Sequence, residues 1–146
     1  MLSVSGTANE RKRKQPDKGK PLGSWALWLL PLGWMALIFA ASHTPASDIP
    51  SLWFWTLPES DKIAHSILYF ILCLTLYVPL SRRGLRARPG AAAWVAAGLA
   101  VLYGVLDELH QYAVPGRTPS LGDLGADFVG ASLATLLAQA LPGRRR

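Results

Sequence analysis

Three stretches of this chain, 24–41, 63–80 and 89–106, each run for eighteen residues without a Lys, Arg, Asp or Glu. As a helix, such a stretch covers about 27 Å at 1.5 Å per residue, close to the thickness of a bilayer's hydrocarbon layer. A soluble domain spreads its charges over its surface, whereas here they fall in blocks between the apolar runs. With 51% apolar and 16% charged residues, the composition agrees with a membrane protein. A fourth run, 128–141, is too short by itself, so its helix must begin near Asp123 and carry Asp127 into the membrane. A length of 146 residues suits one domain. The expected fold is therefore all-α, an integral membrane bundle of four transmembrane helices over about 24–41, 62–80, 89–110 and 123–141.

Lys and Arg set the expected orientation, because short positively charged segments stay in the cytoplasm. Arg11, Lys12, Arg13, Lys14, Lys18 and Lys20 precede the first run, Arg82, Arg83, Arg86 and Arg88 separate the second from the third, and Arg144, Arg145 and Arg146 close the chain. Four spans put all of these on one side and leave only Lys62 and Arg117 for the other, so both termini are expected in the cytoplasm. Three spans would strand the terminal arginines outside. The basic start, apolar run and Ala40-Ala41-Ser42 also fit a cleavable leader, but the run exceeds the usual apolar region of a leader, and a retained anchor balances the topology. Residues 1–22, polar, basic and broken by Pro16, Gly19 and Pro21, are expected to form a disordered cytoplasmic tail ahead of a membrane domain at 23–146.

This topology gathers Asp48, Glu59, Asp61, Asp107, Glu108, Asp123 and Asp127 at the extracytoplasmic end, together with His43, His65, His110, Gln111 and Arg117. Residues four apart share a helix face. Asp61, His65, Tyr69, Cys73 and Tyr77 form one line, and Ala92, Ala96, Ala100 and Gly104 make a small-residue stripe that leads to Glu108. On the last helix Asp123, Asp127, Ala131, Thr135 and Gln139 align beside Ala126, Gly130, Ala134 and Ala138. Small-residue stripes let membrane helices approach closely, which would bring His65, Glu108 and Asp127 to a common axis. Intramembrane carboxylates need partners, and Arg117, held in a turn by Pro115, Gly116 and Pro119, is the expected bidentate partner of Glu108 or Asp123.

Plainer explanations cover several of these residues. Asp61 follows Pro58-Glu59-Ser60 at a helix start, where a carboxylate complements the helix dipole. Ser120-Leu121-Gly122-Asp123 has the form of a capping box with Asp in place of Glu or Gln. Asp107 and His110 are expected in the headgroup region, His43 is expected at the solvated interface, and Trp53, Phe54 and Trp55 read as interfacial anchors. Cys73 is the only cysteine and reads as a small buried hydrophobe. The basic residues flank apolar runs rather than covering a face, which speaks against nucleic acid as a partner. No HExxH or comparable ligand pattern is present, so no metal and no cofactor is assigned; Ser120 lacks a nucleophile-elbow context.

DKIAHSILYF at 61–70, DELHQYAVPGR at 107–117 and SLGDLGADFVG at 120–130, with SHTPASDIP after the first run, resemble the VanZ-like family of small bacterial membrane proteins. The family pattern falls on Asp61, Lys62, His65, Glu108, Gln111, Arg117, Ser120, Asp123 and Gly130; Asp127 departs from it, since many relatives carry asparagine there. The resemblance implies a cell-envelope role, because the family's namesake is associated with resistance to the glycopeptide teicoplanin, and it implies no reaction.

The primary expectation is a multi-pass protein of the bacterial cytoplasmic membrane whose polar pocket binds or modulates an anionic envelope lipid or cell-wall precursor. Asp61, Lys62, His65, Glu108, Gln111, Arg117, Ser120, Asp123 and Asp127 would line it, with Arg117 and Lys62 meeting the anion. The alternative is a membrane enzyme with His65 or Glu108 as general acid or base. Proton or ion translocation is the weakest reading, since only Tyr77, Thr135 and Gln139 continue the polar path inward.

Overall fold

A computed structural model describes residues 24–48, 59–85 and 88–140. The basic tail, Trp53, Phe54, Trp55, Arg86 and the terminal arginines lie outside these residues. All regular secondary structure among the described residues is helical. A short 3₁₀ turn, Ser24–Trp28, leads into α1 (Leu29–Ser42), followed by α2 (Ser60–Pro79), α3 (Pro89–Gln111) and α4 (Leu121–Ala140). Four segments, Trp25–Ser42, Ser60–Arg82, Pro89–Gln111 and Leu121–Ala140, are long and apolar enough to cross a membrane.

The distribution of side chains is the reverse of that in a soluble bundle. Leu30, Leu37, Trp94, Leu102, Phe128 and Leu136 point outward and are exposed, while alanines 92, 96, 100 and 134 are fully buried. Buried with them are Asp107, Glu108, Asp123 and Asp127. Large apolar groups on the outside and carboxylates on the inside suit a solvent of acyl chains, which offers no partner to a charge.

Small residues decide which helices meet. The stripe Ala92, Ala96, Ala100 and Gly104 is buried as its spacing predicts and ends at Glu108, and on α4 Asp123, Asp127, Ala131 and Thr135 are buried too, whereas Gln139 is exposed. α4 packs most extensively on α2, and α3 lies against both. α2 and α4 approach tightly at Gly130, where a Cβ would collide with the carbonyl of Ser66 and come within 3.0 Å of the Phe70 nitrogen. α1 leans on α2 and α3 without reaching α4. Long-range bonds along its length hold it, among them Trp34 Nε1 donating to Leu68 O at 2.9 Å and Tyr103 Oη donating to Met35 O at 2.7 Å.

The second span continues past α2 as a single π turn, Leu80–Gly84, which the apolar run did not announce. Pro79, inside the last turn of α2, has no N–H for the helical ladder and crowds the carbonyl one turn back. Past the proline the chain leaves the helix through a wider i→i+5 bond, Leu85 N to Leu80 O at 2.9 Å.

Candidate functional site

Antiparallel helices bring the end of α1, the start of α2, the end of α3 and the start of α4 to one end of the bundle, and the 112–120 loop closes over them. Arg82 and Arg88 belong to the opposite end, where α2 hands over to α3.

His65 lies on the second turn of α2 and faces α4. Its Nδ1 is 3.0 Å from Asp127 Oδ1, and Asp127 is wholly buried. A carboxylate accepts, so Nδ1–H is the donor and Nε2 is left for another partner. The ring stacks over Tyr69, with centroids 6.2 Å apart. Asp127 fits between the helices because position 104 has no side chain: a Cβ there would stand 2.6 Å from Asp127 Oδ2 and 3.2 Å from Tyr69 Cε1. Asp127 Oδ2 has no hydrogen-bond partner among the described residues.

Glu108 reaches from α3 to the start of α4, where its Oε2 accepts a 2.8 Å bond from the Ser120 amide. This alters the expected capping box. Ser120 does cap α4, its Oγ accepting from Gly122 N at 3.0 Å, but Glu108 takes the reciprocal bond that Asp123 was expected to make. Asp123 is thereby released from capping. It is buried, 8% exposed, and no bond to its side chain is found among the described residues. One ligand atom each from His65, Glu108 and Asp123 lies within 4.8 Å of the others. Two unit charges at that separation repel by about 3 kcal/mol at an effective dielectric constant of ~20.

Other placements correct the sequence reading. Arg117 does not pair with Glu108 or Asp123. Its Nε donates to Thr44 O at 3.2 Å and its Nη2 to Ala41 O at 3.0 Å, so the guanidinium sits on the carbonyls that end α1, where a cation complements the helix dipole. No carboxylate lies within ion-pair distance of it among the described residues. Lys62 is committed elsewhere, 2.6 Å from Glu59 and 3.6 Å from Asp61, with its Cε folded over Gly122. Asp61 stands in the first turn of α2, where it complements the dipole; the preceding Glu59, at φ 59°, makes no side-chain cap. Asp107 is turned into the bundle rather than toward solvent: it is 4% exposed and accepts a 2.7 Å bond from Ser42 Oγ. His43 and His110 form an outer pair 3.2 Å apart, and Phe39 stacks on the His43 ring and lies tilted against that of His110. Ser42, Thr44 and Ala41 were missed because their roles depend on where α1 docks; the SHTP motif beside them was the available signal.

Between α1, α2 and α3 lies a cavity of about 390 Å³. Its walls include Ile38, Ala64 and Leu68 on the apolar side and His65, Asp107, Gln111 and Arg117 on the polar side. A smaller space of about 190 Å³ continues toward the loop, lined by His65, Gln111, Arg117 and Asp123. Arg117 and Gln111 border both.

A family model described as VanZ/LLP1 matches residues 25–142. The chain belongs to the VanZ/LLP1 family. That span takes in all four helices and every residue of the polar end, so the described structure is that of a VanZ-type membrane protein. No curated protein and no solved structure matches the chain.

Proposed function

We propose that this VanZ-type protein is a binding or modulating protein of the bacterial cytoplasmic membrane, with both termini in the cytoplasm. Its extracytoplasmic pocket takes the anionic headgroup of an envelope lipid or lipid-linked cell-wall precursor. The observation that carries this reading is the state of Arg117: a guanidinium that borders both cavities, spends two of its five donors on backbone carbonyls and has no carboxylate partner among the described residues. The remaining donors form a fork suited to phosphate oxygens. The apolar wall at Ile38, Ala64 and Leu68 suits the acyl or polyprenyl part of the same molecule. Gln111 and His65 add polar contacts; Lys62, paired with Glu59 and Asp61, lines neither cavity.

The test is lipid retention. Protein in native nanodiscs is expected to hold an anionic lipid in excess over the surrounding membrane, and Arg117→Gln to weaken that retention by about tenfold or more, the range for losing a charged hydrogen bond. Arg117→Lys, which keeps the charge but not the fork, should fall between. Equal retention by wild type and Arg117→Gln overturns the assignment. An envelope role also predicts altered teicoplanin susceptibility on deletion.

The 3.0 Å His65–Asp127 pair favours one alternative, a membrane enzyme. A buried carboxylate that fixes a histidine's tautomer is the arrangement of a general base, with Glu108 across the site. Turnover of a radiolabelled envelope lipid that disappears in His65→Ala while binding persists would favour catalysis over binding.

A further inference from the structure

We propose that His65, Glu108 and Asp123 form a binding site for a divalent transition-metal cation of the Zn²⁺ or Mn²⁺ class. These residues come from α2, α3 and α4, and a ligand atom from each lies within 4.8 Å of the other two. Glu108 and Asp123 are each 8% exposed, and Glu108 Oε1 and Asp123 Oδ1 have no hydrogen-bond partner among the described residues. Orphaned carboxylate oxygens held together away from water need either a proton shared between them or a cation.

Two further features favour the cation. Asp127 occupies Nδ1 of His65 at 3.0 Å, which fixes the ring and leaves Nε2 as the free nitrogen. This carboxylate–histidine arrangement is the usual support behind a metal-bound imidazole. Glu108 is fixed likewise, its Oε2 held by the Ser120 amide while Oε1 stays free. One nitrogen and two carboxylate donors suit Zn²⁺ or Mn²⁺ better than Mg²⁺ or Ca²⁺, which prefer oxygen alone. Three protein ligands leave a coordination position open, and the adjoining space of about 190 Å³ has Arg117 on its wall. An anionic oxygen entering there would meet both the cation and the guanidinium. The sequence assigned no metal because ligands on three separate helices leave no local spacing to read.

The inference stands apart from the lipid reading, since the metal alone is the probe. Full-length protein in lipid-free detergent, stripped with a chelator, is titrated with Mn²⁺ by electron paramagnetic resonance and with Zn²⁺ against a chromophoric chelator. Saturation at one ion per chain is expected, with Asp123→Asn, Glu108→Gln and His65→Asn each weakening binding by about tenfold or more. Asp107→Asn, which alters another buried carboxylate with an orphaned oxygen outside the triad, should bind as wild type does. Asp123→Asn removes charge, and with it repulsion from Glu108, without removing any described hydrogen bond, so the metal-free variant should melt no lower than wild type. Absence of saturable binding, or equal weakening by Asp107→Asn and Asp123→Asn, overturns the site.

Discussion

Gly130→Ala tests the packing on which the polar end depends. The added methyl group would collide with the Ser66 carbonyl and press on the Phe70 nitrogen, so it meets α2 backbone rather than a side chain that could rotate away. A relaxed carbon–oxygen contact needs about 3.3 Å, so the two helices must part by roughly an ångström. Overpacking of a rigid contact costs up to about 3 kcal/mol, and alanine recovers about 1 kcal/mol through helix propensity, leaving a net loss of about 2 kcal/mol. Asp127 precedes Gly130 by one helical turn and His65 adjoins Ser66, so the same displacement stretches their 3.0 Å bond beyond hydrogen-bonding range. The assay is denaturant unfolding in micelles followed by tryptophan fluorescence, with Gly98→Ala and Gly125→Ala as controls, since a Cβ at either position meets nothing within 4 Å. Gly130→Ala should unfold earlier than wild type, and the controls at the same point or later. Stability of Gly130→Ala within about 0.5 kcal/mol of wild type, the usual range for a neutral surface change, would refute the close α2–α4 approach.

Three other outcomes follow from single contacts. Ser42→Ala strips Asp107 of its 2.7 Å donor and leaves both oxygens of a buried carboxylate bare, which should cost about 1–3 kcal/mol in the same unfolding assay. Glu108→Ala removes the acceptor of the Ser120 amide and should speed proteolysis of the 112–120 loop, whereas Glu108→Gln, which keeps an acceptor oxygen, should leave the loop protected. Gly104→Ala places a methyl group 2.6 Å from Asp127 Oδ2 and should weaken the His65–Asp127 pair, seen as a shift of the His65 imidazole resonances.

The spans were legible because a charge-free run of eighteen residues has few ways to exist in water. Buried faces were legible as well: four-residue spacing of Ala and Gly identified the sides of α3 and α4 that pack inward, and with them the convergence of His65, Glu108 and Asp127. Partner choice was not legible. Arg117 had nearby carboxylates in the sequence yet bonds to the carbonyls of Ala41 and Thr44, because the end of a distant helix lies closer in space. The partner of Asp107 was hidden for the same reason, since it depends on α1 docking and presenting Ser42. The capping box was half right: Ser120 caps, but Glu108 arrives from α3 in place of the local Asp123, a tertiary contact that spacing along one helix cannot report.

The account rests on the polar end facing out of the cell while the arginine-rich end stays inside. Cysteine accessibility in intact cells measures this directly, with Thr118→Cys in the exposed loop compared against Arg88→Cys at the other end, both in a Cys73→Ser background. A membrane-impermeant thiol reagent should label position 118 in whole cells and position 88 only after lysis. Labelling of position 88 but not 118 in whole cells would invert the topology and remove the extracytoplasmic pocket.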